Sequence, residues 1–194
     1  VGRHSIEFAK KGFDVIGVDI TDHYLKKAKK RAKEVEVDIE FVKEDMRRFR
    51  REEVFDLVLN LFTSFGFFEE HEENMKVLEN VYESLKPRGK FIIDVMGKEI
   101  IARIFKERDW KEMEDGFWLF ERSIEKNWSW MENRRIKITD EDRKEYNVDH
   151  WLYSAKELEN MLKEIGFESI KVYGSYDGSP YDENANRLVV VAKK

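Results

Sequence analysis

Apolar positions along this chain alternate between two periods. Ile6, Ala9 and Phe13 fall at i, i+3 and i+7, which predicts an opening helix running to Gly12. Val15-Ile16-Gly17-Val18, bounded by Asp14 and Asp19, is short and β-branched, as a buried parallel strand is. Leu25, Ala28 and Ala32 restore the helical spacing, with Thr21 or Asp22 as N-cap. Strands are expected at 39–42 and 55–61, followed by a helix with Leu78, Val81, Tyr82 and Leu85 on one face. Lys86-Pro87-Arg88-Gly89 is a turn signal before the strand Phe91-Ile92-Ile93-Asp94-Val95. Strands alternating with helices predict a parallel sheet with helices on both faces.

From Gly97 to about Trp151 that alternation stops. A helix gives way to charged, aromatic-rich segments of period two that look antiparallel, in which Trp118, Phe120 and Ile124 can share one face, as can Trp128 and Trp130. Ser154-Ala155-Lys156-Glu157 is a capping box opening a helix with Leu158, Met161, Leu162 and Ile165 inward and Gly166 at its end. Strands at 169–173 and 187–192 finish the chain. The expected organisation is an α/β core of residues 1–96 and 152–194 with a cap, residues 97–151, inserted in it.

Length and charge narrow the function. At 194 residues the chain reads as one domain with extra material. Forty-one acidic against 36 basic residues, a net charge of −5, argue against a protein that works by neutralising a nucleic-acid backbone. The basic run Lys26 to Lys33 reads as a solvated helix face, because Leu25, Ala28 and Ala32 point the other way. With no cysteine there are no disulfides, zinc–thiolate sites or cysteine nucleophiles, and no histidine pair has metal spacing. No apolar run reaches the ~18 residues of a spanning helix and no signal pattern opens the chain, so a cytoplasmic protein without membrane contact is expected. Charged residues at 40%, two prolines and no glutamine match the profile of thermostable proteins rich in surface ion pairs.

The candidate chemistry lies at strand ends. Val1-Gly2-Arg3-His4-Ser5 has the look of the tail of a glycine-rich loop at a helix N-terminus, where backbone N–H groups favour an anion. Asp19 ends the next strand, 17 residues after Gly2, where an acid can accept hydrogen bonds from ribose hydroxyls or cap the following helix. Asp45-Met46 follows the third segment of the sheet, and the aromatic loop Asn60-Leu61-Phe62-Thr63-Ser64-Phe65-Gly66-Phe67-Phe68 follows the fourth. That carboxyl edge is where open α/β sheets bind ligands.

Together these residues resemble the class I S-adenosylmethionine-dependent methyltransferases. The pieces are Gly2-Arg3-His4-Ser5, the strand to Asp19, Asp45-Met46, Phe55-Asp56-Leu57-Val58 and Leu85 to Gly89. The resemblance implies a doubly wound Rossmann-like sheet with an inserted antiparallel β cap, and S-adenosyl-L-methionine as cofactor. It assigns Gly2 to the cofactor loop, Asp19 to ribose with Ile20 beside the adenine, Asp45 and Met46 to adenine, and Asn60, Leu61 and Phe62 to the methionine end. The cap is similar to that of small-molecule enzymes such as aminosugar N-methyltransferases, which implies methyl transfer to N or O of a small-molecule acceptor. The family's first strand, which lies mid-sheet, has no counterpart here. Three arrangements would answer that: a natural chain beginning upstream of Val1, a strand borrowed from a neighbour, or direct pairing of the two edges.

All five tryptophans lie between Trp110 and Trp151, within the cap. Phe65, Trp118, Trp130 and Trp151 are the candidates to line the acceptor site, where ring faces would suit a cationic amine; a satellite core or a homodimer face is the alternative. His150 is the candidate general base, since imidazole titrates near neutrality, against a packed structural histidine on the face of Tyr146, Val148 and Leu152. His71 falls in an acidic helix start. Two other functions stay open from sequence: a non-catalytic methyltransferase-like binding or oligomerisation domain, and a nicotinamide-dependent oxidoreductase. The latter would want a complete Gly-x-Gly-x-x-Gly loop.

Overall fold

A computed structural model describes residues 1–194, which divide into two compact units, Val1–Arg51 and Glu52–Lys194. The first contains α1 (Arg3–Lys10), β1 (Ile16–Asp19), α2 (Asp22–Glu34) and β2 (Glu40–Lys43). β1 and β2 pair in parallel, Ile16 opposite Glu40 and Asp19 opposite Lys43. Ile6, Leu25, Ala28 and Ala32, the residues at helical spacing, are its buried apolar positions. Gly2 caps α1 at φ 69°, and a Cβ there would lie 2.8 Å from the Cβ of Ala28. Two small residues thus let the start of α1 touch α2, a contact that any larger side chain would push apart.

The second unit contains β3 (Phe55–Asn60), α3 (His71–Ser84), β4 (Leu85–Val95), α4 (Lys98–Ile104), β5 (Arg108–Met113), β6 (Gly116–Glu125), β7 (Trp130–Ile138), β8 (Arg143–Asn147), β9 (His150–Trp151), α5 (Ala155–Ile165), β10 (Ser169–Tyr173) and β11 (Leu188–Lys193). Its main sheet has the order β10-β11-β4-β3. β3 and β4 are parallel, while β11 runs antiparallel to both β4 and β10. Leu78, Leu85, Phe91, Ile93, Leu158, Leu162, Leu188 and Val190 are fully buried around it, each such side chain stabilising the fold by roughly 1.5–3 kcal/mol. β1 has β2 as its single ladder partner, and β3 has β4.

The turn expected at residues 86–89 sits inside a strand instead of before one. Phe55 pairs with Leu85 and Leu57 with Lys90, so Lys86 to Gly89 bulge out between two paired stretches, with Arg88 at φ 68°. The capping box forms as the spacing required: the Ser154 hydroxyl accepts from Glu157 N at 3.1 Å and Ser154 N donates to the Glu157 carboxylate at 2.7 Å. Gly166 ends α5 at φ 116°. β5 to β8 form a consecutive antiparallel sheet, to which β9 adds by pairing with β7. Met131 and Ile124 of that sheet pack with Ile101, Leu152, Met96 and Phe105, fixing its lower end.

Candidate functional site

In the first unit the candidate residues stand at strand ends. Asp19 Oδ1 accepts from Thr21 N at 2.7 Å, and Thr21 is the N-cap residue of α2. One carboxylate oxygen therefore shapes the helix start, while the other has no protein partner. Ile20 is 64% exposed beside it. Asp45 is held by Arg47, whose Nη2 donates at 2.6 Å and whose backbone N donates at 2.9 Å. That guanidinium keeps the Asp45 carboxyl below its ordinary range. Met46 follows, half-buried.

In the second unit β3 ends at Asn60, whose Nδ2 reaches Ser64 O at 3.4 Å while its Oδ1 is buried without a partner. Leu61 is half-buried, and Phe62 is exposed. Phe62 and Thr63 both adopt positive φ, 59° and 55°, a left-handed pair that branched and bulky residues avoid. Asp94, at the end of β4 and wholly buried, explains how the loop is held. Its carboxylate accepts from Phe62 N at 3.0 Å, from Arg187 Nε at 2.6 Å and from the Tyr176 hydroxyl, while its carbonyl accepts from Thr63 N at 2.9 Å. Arg187 also donates to Thr63 Oγ1 at 3.3 Å and lies 5.9 Å from the centre of the Phe62 ring. Neither Asp94 nor Arg187 was a candidate from sequence. The signal was there: one acid in the otherwise apolar run 91–95.

Phe65 is 1% exposed and tilts onto Tyr153 at 5.4 Å, so it packs the loop and presents no surface. Trp151 N donates to Gly66 O at 2.8 Å; the loop thereby runs along the free edge of β9 and brings Phe67 edge-on to His150, 5.9 Å between ring centres. His150 is 5% exposed, with Nδ1 3.4 Å from Val148 O. Burial first, and then the nearby charge of Arg135, lower its pKa from 6.5, so the ring is neutral at pH 7.

The strand register separates the tryptophans that the sequence grouped. Trp118 faces the same side as Lys137, Asn133 and His150, stacked on Phe120 at 6.4 Å and tilted to Tyr146 at 5.9 Å. Trp130 and Trp151 pair on the opposite face, 5.7 Å apart and T-shaped. Trp151 Nε1 donates to Phe68 O at 2.9 Å and Glu69 O at 3.0 Å, and Lys126 Nζ sits 5.1 and 5.3 Å from the two ring centres. Those two indoles tie the β5–β9 sheet to the loop after β3.

Residues 1–89 match the family model described as a methyltransferase domain. Among curated proteins, the glycine/sarcosine N-methyltransferase of Aphanothece halophytica is 25% identical over 197 residues, covering 100% of this chain and 72% of that protein. The CcbJ methyltransferase from Streptomyces caelestis superposes with a TM-score of 0.87 at 16% identity, covering 98% of this chain and 78% of the other. The sugar N-methyltransferase KedS8 from a Streptoalloteichus species does so at 0.70 and 19%, covering 100% and 76%. The solved structures establish the Rossmann-like α/β fold with its antiparallel addition.

Proposed function

We propose that this chain is a class I S-adenosylmethionine-dependent methyltransferase, as its likeness to the methyltransferase domain and to whole-chain methyltransferase relatives supports, and that it methylates nitrogen or oxygen of a small-molecule acceptor. The likeness to methyltransferases speaks against the nicotinamide-dependent alternative. Relatives named for glycine, sarcosine and sugar nitrogens support nitrogen as the accepting atom.

The observation that carries the reading is the end of β3. A buried Asn60 Oδ1 without a donor, beside an exposed Phe62 whose strained backbone is pinned by Asp94, fits an amino-acid ammonium and the thioether chain attached to it. Asp19, through its free oxygen, would accept from ribose; Ile20 and Met46 would cover adenine and Asp45 would accept from its amino group. Gly2 would let the backbone approach the carboxylate end. When bound, S-adenosylmethionine supplies a methyl carbon made electrophilic by a positively charged sulfur.

The protein's part is alignment and exclusion of water, because a displacement at methyl needs nucleophile and leaving group in line. His150, buried against Phe67, would be the base that takes a proton from an acceptor that arrives protonated. Calorimetric titration with S-adenosylhomocysteine tests the reading directly. Micromolar binding supports it, and no binding by the folded chain sinks it in favour of a non-catalytic relative.

A further inference from the structure

The β5–β8 sheet carries two guanidiniums, those of Arg122 and Arg135, that form no ion pair with a carboxylate of the chain. Register and alternation place them. Ile124, Met131 and His150 form one row across β6, β7 and β9; Arg122 and Asn133 form the next; Phe120, Arg135 and Tyr146 form the third, all on one face. Arg122 lies over the Phe120 ring at 4.8 Å and donates to Lys106 O at 3.1 Å. Arg135 donates through Nη2 and Nε to the side-chain oxygen of Asn133, at 2.9 and 3.0 Å, in the amide orientation that its neighbours favour. Asn133 is 3% exposed, so Arg135 is held on a rigid partner.

Both guanidiniums are half-buried, and no carboxylate pairs with either. Asp109 acts on Arg122 only through space: its carboxylate accepts from Trp110 N at 3.0 Å and faces Lys106 at 3.7 Å. Arg134, next in sequence but on the other face, shows the contrast, gripped by Glu121 at 2.6 Å and Glu145 at 2.9 Å. Burial disfavours the charge on both residues of the pair, and Arg122 further disfavours it on Arg135. Two adjacent, partly desolvated like charges are unfavourable until an anion arrives, and planar forks suit a planar oxyanion. The flanking rings of Trp118, Phe120 and Tyr146 favour an organic anion over a fully hydrated inorganic one.

Resting on the methyltransferase reading, we infer that Arg122 and Arg135 form a carboxylate-binding subsite on the His150 face of this sheet, and that the methyl acceptor carries a carboxylate. The test uses acetate and its neutral counterpart acetamide, titrated by ligand-observed NMR into the wild-type chain and into Arg122→Gln and Arg135→Gln. Acetate is expected to bind about tenfold tighter than acetamide, and each substitution to remove about that factor. Arg135→Lys, which keeps the charge and loses the fork, recovers part of it. Thermal melts separate this from a structural role: relieving buried like charge leaves Tm unchanged or raised, whereas loss of a structural pair lowers it.

Equal binding of acetate and acetamide, or acetate binding untouched in both variants, overturns the inference. S-adenosylhomocysteine titrated into the same samples reports separately. Product binding without an acetate preference removes the subsite and keeps the methyltransferase reading. An acetate preference without product binding does the reverse.

Discussion

Replacing Asp94 by alanine should show that one buried carboxylate holds the carboxyl edge of the main sheet together. Asp94 is 0% exposed and takes a 2.6 Å ion pair from Arg187, a 3.0 Å hydrogen bond from Phe62 N, and a further one from Tyr176. Its removal leaves a guanidinium that is 23% exposed without its carboxylate and takes one acceptor from Phe62 N and from the Tyr176 hydroxyl. Breaking a buried pair from one side costs about 3–5 kcal/mol, chiefly from the stranded partner charge. For a chain of this size each kcal/mol moves Tm by about 2–4 °C, so the variant should melt about 6–20 °C lower. Circular-dichroism melts and urea titration measure this. Arg187→Met should lose a comparable amount, and the double variant less than the sum, because the two substitutions remove one shared interaction. S-adenosylhomocysteine affinity should fall with Asp94→Ala as well, since Phe62 and Thr63 are no longer held at positive φ. A stability loss below about 1 kcal/mol, or strictly additive losses in the double variant, would refute the argument.

Three further substitutions read other links of the chain. Asp19→Ala should weaken S-adenosylhomocysteine binding by about 1–3 kcal/mol if its free oxygen accepts from ribose; unchanged affinity in calorimetry leaves Asp19 only its turn with Thr21. Ser154→Ala removes a cap bonded to Glu157 N and should lower stability by about 0.5–2 kcal/mol in urea titration, with product binding unaffected. Burial lowers the pKa of His150 from 6.5, so the unfolded chain binds this proton more readily than the folded one. The stability linked to His150 is therefore complete above pH 6.5 and lost as pH falls through the folded value. Urea midpoints measured between pH 7.5 and 5.5 should drop more in the wild type than in His150→Gln, and equal slopes would count against the buried, neutral ring.

The elements were readable because each had a local cause. Leu25, Ala28 and Ala32 recur at helical spacing and are all buried; Ser154 and Glu157 satisfy each other; Gly166 takes the left-handed cap. Asp19 and Asn60 were readable as strand ends because a run of β-branched or apolar residues stops there. Sequence periodicity says which residues share a face, but not which strands are neighbours. Trp118, Trp130 and Trp151 could be grouped as one aromatic set until the pairing of Trp118 with Lys137 and of Trp130 with Trp151 put them on opposite faces. Long-range polar partners were invisible for the same reason: Asp94 and Arg187 are 93 positions apart, and nothing local links them. Phe65 looked like a site residue by its place in an aromatic loop, yet Tyr153 covers it.

What the chain does with its charges sharpens the reading of the β5–β8 sheet. Acids outnumber bases, 41 to 36, so an arginine without a carboxylate does not reflect a shortage of partners. Along the same strands Arg134 and Arg143 both engage Glu145, and Lys137 engages Asp115. Exposed pairs of this kind add little to stability, about 0–1 kcal/mol each. A half-buried guanidinium gains more from a counter-charge than an exposed one does, because its field is less screened. Stability alone would therefore place acids beside Arg122 and Arg135 first. Instead Glu107, whose carbonyl accepts from Arg122 N, and Asp109, opposite Phe120 on the adjacent strand, form no ion pair with them, and an Asn133 that can orient Arg135 but not neutralise it occupies the position between. Positions where a fold forgoes an available stabilising contact are the ones to examine for a ligand that supplies it. By that criterion the arginine pair on the His150 face is suited to an acceptor's anion and the Asn60 Oδ1 at the end of β3 to a cofactor's ammonium, and the buried Tyr153 hydroxyl is a third polar group of the second unit without a partner.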